Sequence, residues 1–206
     1  MLPDRTQPCA TGRRGLLLVI SGPSGAGKST VCQELLRRLP EGVWSVSVTT
    51  RPPRGQESEG CDYYFVSREQ FERMIQEGQL LEYAEYLGNL YGTPRRPAEQ
   101  ALAEGRVMVM EIDVQGGRQI AEKMPESVRV FLLPPDEQEL ARRLIGRKTE
   151  TPEQQAKRLA KAQQEIAWAR QWGCYQYFIT NDVVDRTVGE IIQIVEAERA
   201  KTCTRS

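Results

Sequence analysis

Apolar and polar positions along the chain follow two periods, and the places where one gives way to the other mark its elements. Leu16 to Ile20 is an uninterrupted apolar run, the length of a strand buried on both faces. Val31, Leu35, Leu36 and Leu39 then recur at helical spacing until Pro40 closes the helix. Trp44 to Thr49 alternates as one strand, and Asp62 to Val66 is a short strand rich in aromatics. Ser67-x-x-Gln70 has the form of a capping box; Phe71, Met74 and Ile75 follow on one helical face, with Gly78 as the stop. Leu80 to Leu87 and Leu90 to Thr93 read as strands turned at Gly88-Asn89. A helix from Pro97 to Glu104 leads into Arg106 to Asp113, an apolar strand ending in acid, and Val128 to Leu133 is another buried strand. Asp136-x-x-Glu139 and Thr151-Pro152-x-Gln154 each open a helix, with Gly146 to Glu150 as the hinge. Strand Tyr177 to Thr180, a turn at Asn181-Asp182 and a helix from Thr187 with Val188, Ile191, Ile192 and Val195 follow.

Strands separated by helices predict an α/β domain around a parallel sheet. The short strands between about Ser47 and Pro97 break that rhythm and predict a small inserted subdomain. A length of 206 residues suits one such domain. The 28 basic residues balance 28 acidic ones, so no overall field favours nucleic acid or an anionic membrane, and neither is expected as a partner. Five scattered cysteines without C-x-x-C spacing fit reduced thiols in a cytoplasmic setting. No secretory segment is read near the start, and the longest apolar stretch, Gly15 to Ile20, is too short to span a bilayer. Histidine is absent, which excludes Ser–His–Asp and Cys–His triads and His-ligated metals. Phosphoryl transfer survives the exclusion, because it needs positioning and charge neutralisation more than a titrating base.

The candidate chemistry begins directly after the first strand. Ser21-Gly22-Pro23-Ser24-Gly25-Ala26-Gly27-Lys28-Ser29-Thr30 fits the phosphate-binding pattern G-x-x-x-x-G-K-[ST] at every fixed position. The glycines let backbone N–H groups face inward and a helix then points its positive end at the same spot, so Gly22 to Thr30 are expected to hold a nucleoside triphosphate, which the resemblance given below makes ATP. Lys28 supplies a mobile charge for the β- and γ-phosphates, and the Ser29 hydroxyl a ligand for Mg²⁺. Asp113, at the carboxyl end of its strand, is the expected second metal ligand. Glu111, two residues earlier, shares its face. In Arg51-Pro52-Pro53-Arg54 the prolines hold the chain extended, which predicts both guanidiniums on one side as a phosphate clamp. Arg142, Arg143, Arg147, Lys148 and Arg158 build a positive helical hairpin suited to a lid.

Taken together, SGPSGAGKST, SVSVTTRPPR, DYYFVS, LLEYAEYLGNLYGT, MEIDVQG, LIGRKTET and ITND resemble the motifs of guanylate kinases, in the same order and over most of the chain. The resemblance implies a three-layer α/β P-loop nucleoside monophosphate kinase fold. Its core would comprise residues 13–46, 98–135 and 159–206, with a GMP-binding subdomain at 47–97 and a helical lid at 136–158. It implies transfer of the γ-phosphoryl of ATP to GMP with Mg²⁺. By position, Arg51, Arg54, Tyr63 and Tyr91 would hold the GMP phosphate; Ser47, Glu82, Thr93 and Glu111 would read the guanine. Arg143, Arg147 and Arg158 would gather with Lys28 and Arg51 around the transferring group, and Asn181 would lie near the adenine. The chain departs from the usual pattern at Gly55-Gln56, where the glycine comes one residue early, at Lys148, where glycine is common, and at Glu111, one methylene longer than an aspartate. The related ribose bisphosphate kinases would not need a guanine-reading set, and interaction modules of this fold typically lack an intact ATP site. Whether the chain is a monomer or a homo-oligomer is left open.

Overall fold

The computed structural model describes residues 14–86, 88–145 and 152–203. Its centre is β1 (Leu16–Ser21), flanked in one parallel sheet by β2 (Gly42–Trp44) and β7 (Val107–Glu111) on one side and β8 (Val128–Leu133) and β9 (Tyr177–Thr180) on the other, in the order β2-β7-β1-β8-β9. The unbroken apolar run of β1 reflects burial on both faces. Leu16, Leu18 and Ile20 pack with α1 (Lys28–Arg38) and α7 (Val184–Cys203), through Val31, Leu35, Val188, Ile191 and Val195. Leu17 and Val19 face the other way, with Met108 and Met110, onto Ala98 and Ala101 of α3 (Arg95–Ala103) and Ile120 of α4 (Val114–Lys123). Burying a side chain of this size contributes about 1.5–3 kcal/mol, so truncating Leu18 would remove a large part of a stability that totals only about 5–15 kcal/mol.

A second sheet, ordered β4-β3-β6-β5, is formed by β3 (Ser47–Thr49), β4 (Tyr63–Phe65), β5 (Leu80–Tyr86) and β6 (Asn89–Pro94). With α2 (Arg68–Gln76) it encloses its own small core of Val48, Phe71, Leu80 and Leu90. The capping box at Ser67 and Gln70 is made in both directions. Beyond β8, α5 (Glu137–Ile145) packs Leu140 and Leu144 on Ala162 of α6 (Pro152–Trp172). Farther along, α6 reaches the sheet, where Ala169 joins Phe131 and Tyr175. One helix therefore passes without a break from the lid region into the core, so a boundary at residue 158 falls inside it.

Several expectations are corrected. Trp44 to Thr49 is two strands in two sheets: after Trp44 the ladder ends with Ser45 N–H on the Val109 carbonyl, and from Ser47 the chain pairs with Tyr63 instead. Alternation records a period and carries no information about which sheet supplies the partner. Helix α4 was not expected, because Gly116 and Gly117 in its first turn weaken the helical signal. α3 begins at Arg95, two residues before Pro97, and α7 begins at Val184 rather than Thr187. At Asp136 half of the expected box forms: the carboxylate accepts from Glu139 N–H, while the Glu139 side chain is taken by arginines. Arg147, Lys148 and the hinge at 146–150 lie outside the described residues, as do residues 1–12.

Candidate active site

Register decides what the phosphate loop faces. Ile20 stands opposite Glu111 in the β1–β7 pairing, so the loop that leaves β1 turns beside the end of β7. Gly27 caps α1 with φ +85°, and a Cβ there would come within 2.5 Å of Asn181 Nδ2. Only glycine suits that position. Asn181 Nδ2 donates to the Ala26 carbonyl at 2.8 Å, its side-chain Oδ1 accepts from Thr187 Oγ1 at 3.1 Å, and the residue is 3 % exposed. Its side chain thus braces the loop. Thr187, expected as a helix start, is the buried hydroxyl behind that brace.

Lys28 folds back on its own loop, donating to the Gly22 and Pro23 carbonyls at 2.7 and 3.1 Å. Burial lowers its pKa, an effect that Glu111, Glu165 and Asp113 partly oppose. The Ser29 hydroxyl donates to Glu111 Oε1 at 2.8 Å. Asp113 is the N-cap of α4, its Oδ1 accepting from Gly116 N–H at 2.8 Å. Ser29 is thus bonded to Glu111, while Asp113, the acid expected with it at the metal, lines the same cleft.

Ser24 is gripped from α6: Arg158 Nη2 donates to its hydroxyl at 2.8 Å, and its N–H donates to the buried Glu165. Pro23 and Gly25 complete the loop, and Thr30 lies in the first turn of α1. Arg143 donates to Glu139 at 2.7 Å and to the Asn181 carbonyl at 3.2 Å, which brings it to the loop's edge. Bonds from Arg142 and Arg143 hold the Glu139 carboxyl down to about 2.

Across a cleft of about 360 Å³ from Lys28 and Ser29 lie Ser47, Tyr63, Glu82 and Tyr91. Glu82 is 4 % exposed and accepts from Thr93 Oγ1 at 2.7 Å. Burial pushes its pKa up to about 7; the Asp113 charge adds to the rise, and Thr93 and Lys123 oppose it. Its second oxygen presses on the first turn of α4, where a Cβ on Gly116 would lie 2.5 Å from it. The weak point in the helical signal is thus the space this carboxylate needs.

Arg51 and Arg54 differ in their surroundings. Arg51 is 5 % exposed, lies 5.3 Å from the Tyr63 ring centroid, and binds Glu57 through two N–H groups at 2.8 and 2.9 Å, whereas the Arg54 side chain is exposed. Neither lines the cleft. The extended dipeptide rule treats the segment in isolation and omits the acid three residues beyond Arg54 that captures Arg51. Sequence reasoning also passed over Trp44 and Ser45, which line the cleft, and Glu165. Glu165 follows Arg158 by seven residues, two helical turns on one face, and that spacing was a usable signal.

Among the described residues no group of three or more acids or cysteines could hold a metal, and no helix is long and apolar enough to cross a membrane. Comparison with known proteins adds independent findings. The family model described as guanylate kinase matches residues 14–198. Guanylate kinase of Desulfitobacterium hafniense is 46% identical, covering 91% of this chain and 92% of that one. That of Streptococcus agalactiae is 48% identical over 90% and 88% of the two chains, and that of Thermus thermophilus 47% over 93% and 84%. The crystal structure of guanylate kinase from Anaplasma phagocytophilum superposes with a TM-score of 0.76 at 39% identity, covering 93% of this chain and 89% of that one.

Proposed function

The chain belongs to the guanylate kinase family and transfers the γ-phosphoryl group of ATP to GMP, giving ADP and GDP; we propose how its own residues divide that work. The observation that carries the proposal is that one cleft joins Lys28 and Ser29 at one wall to the buried Glu82 at the other. Residues 47–97 form the GMP-binding subdomain and 136–158 the lid, with the remainder as core.

ATP lies on Gly22 to Thr30, with loop amides on its phosphates. Lys28 must exchange the Gly22 and Pro23 carbonyls for phosphate oxygens. Those carbonyls hold it within reach, and its lowered pKa reflects the water it has already given up. Mg²⁺ brought with ATP supplies charge neutralisation at the phosphates, and a hydroxyl and a carboxylate already 2.8 Å apart are a fitting pair of hard oxygen donors. We therefore assign the metal to Ser29 and Glu111 and move Asp113 to the guanine, exchanging the roles expected for the two acids. Asp113 neighbours Glu82, and together with Ser47 and Thr93 these carboxylates complement guanine's N1–H and N2–H₂ donors beside its O6 acceptor. Adenine sets a bare N1 where a carboxylate waits, a mismatch worth about 1–3 kcal/mol.

The nucleophile is an oxygen of the GMP phosphate, already anionic, so no side chain need act as a general base. Tyr63, Tyr91, Arg51 and Arg54 steady that phosphate. Arg143 and Arg158, joined by Arg147 from the lid, offset the charge that spreads over the transferring group. Cys32, Cys61 and Cys174 are free thiols, in keeping with a cytoplasmic location. A coupled assay tests the whole reading: ATP with GMP yields ADP and GDP, while AMP, CMP and UMP react poorly. Folded protein that ignores GMP would refute it.

A further inference from the structure

The Arg51 guanidinium is more elaborately held than a waiting phosphate ligand needs to be. Glu57 accepts from Nη1 and Nη2 at 2.8 and 2.9 Å, and the Pro52 carbonyl accepts from Nη1 at 2.8 Å. Glu57 is itself fixed. Its Oε2 also accepts from Arg54 N–H at 2.8 Å, and its own N–H closes a turn onto the Arg54 carbonyl at 3.0 Å. Gly55, at φ +56°, makes that turn possible. The early glycine, which looked like an irregularity in the sequence, is what brings Glu57 back to Arg51.

A guanidinium presents five N–H groups in a rigid planar fork. Glu57 takes the end formed by Nη1 and Nη2, which leaves the edge formed by Nε and the outer Nη2 hydrogen. The Tyr63 ring lies beside this group and the Tyr91 ring packs edge-on against Tyr63, and both tyrosines line the cleft. We propose that Glu57 is a positioning residue of the GMP-phosphate subsite, gripping one end of Arg51 so that its other edge is presented to the phosphate. This rests on the assignment of Arg51 to that phosphate.

The rival role is a competitor: a carboxylate standing where the phosphate must go. The two roles predict opposite signs. A positioning residue removed leaves Arg51 free to wander and weakens GMP binding, whereas a competitor removed strengthens it. The fixation of Glu57 by a backbone amide and a turn favours positioning, because an anion built to leave would not be anchored to its own loop.

Steady-state kinetics of the full chain decide the matter, with GMP and ATP varied in turn. Glu57→Gln is expected to raise KM for GMP about tenfold, with KM for ATP unmoved and kcat changed far less. Glu57→Asp, which keeps the charge, is expected to recover part of the loss. Arg51→Ala, run alongside, is expected to raise KM for GMP further still. A lowered or unchanged KM for GMP in Glu57→Gln overturns the proposal; if Arg51→Ala still raises it, the assignment of Arg51 stands. If Arg51→Ala has no effect, that assignment falls and the proposal with it. An equal rise for both substrates in both Glu57 variants would mark a merely structural acid and also overturns it.

Discussion

The two walls of the cleft are built from different materials. The ATP wall is mostly backbone: amides, three loop glycines at positive φ (Gly22, Gly25 and Gly27) and one lysine, braced from behind by Asn181, Arg158 and Glu165. The GMP wall is mostly side chain, and its charged members already have partners, Arg51 the carboxylate of Glu57 and Glu82 the hydroxyl of Thr93. A backbone site is ready before its ligand arrives. A side-chain site carries buried charge that its ligand must relieve, so it gives up stability for selectivity.

The sharpest way to break this contrast is to remove the one indispensable side chain of the backbone wall. Lys28→Ala is expected to lower kcat by about three orders of magnitude or more, because nothing else in the loop supplies a cation to the transferring group. Stability should hardly fall, since the lysine is held by carbonyls at a cost in burial. Single-turnover assays and thermal melts measure both. Near-normal turnover would mean the loop only binds.

Glu82→Gln probes the other wall. Loss of the carboxylate's bond to guanine is expected to raise KM for GMP on the order of tenfold to a hundredfold, with KM for ATP unchanged. The same variant should be more stable than the parent at alkaline pH, and the sign follows from linkage. The folded protein holds the Glu82 proton up to about pH 7, whereas the unfolded chain releases it near the ordinary value of 4.5. Its contribution to stability is therefore fully present below that value and is lost as pH rises through about 7. The loss is on the order of 3 kcal/mol at most. Urea melts at pH 5 and pH 8 should diverge for the parent and draw together for Glu82→Gln. Parallel curves would mean that Glu82 stays charged throughout.

The contrast between the walls also explains what could be read from the chain before it folded. Gly22 to Thr30 and the apolar strand before it are contiguous, so pattern and spacing located the ATP wall directly. Glu82 and Thr93 came through resemblance, since the residues between them say nothing of their pairing until β5 and β6 lie side by side. The exchange we propose for Glu111 and Asp113 was beyond reach, because both acids share one face of a strand in sequence terms. Only the end of β7 and the start of α4 separate them: Glu111 is the last residue of the ladder and Asp113 is turned into a helix cap. The Arg51–Glu57 pair was hidden for a similar reason, being set by a turn rather than by a period.

A smaller effect tests whether the brace behind the ATP wall matters to catalysis or only adds charge. Arg142 and Arg143 are neighbours on α5, and both bond Glu139. By helical pattern alone both belong to the same positive hairpin, and only the resemblance singles out Arg143. In the fold Arg142 points to solvent, whereas Arg143 continues past Glu139 to the Asn181 carbonyl, on the residue that braces Ala26. An exposed ion pair contributes little, so Arg142→Ala is expected to leave kcat and both KM values within about twofold. Arg143→Ala removes the cation that stands at the loop's edge and is expected to lower kcat about tenfold to a hundredfold. If the two variants behave alike, lid charge acts as a diffuse field, and high salt should then erase the difference from the parent in both. If only Arg143→Ala is impaired and added salt does not mimic it, placement against the loop is what the lid contributes.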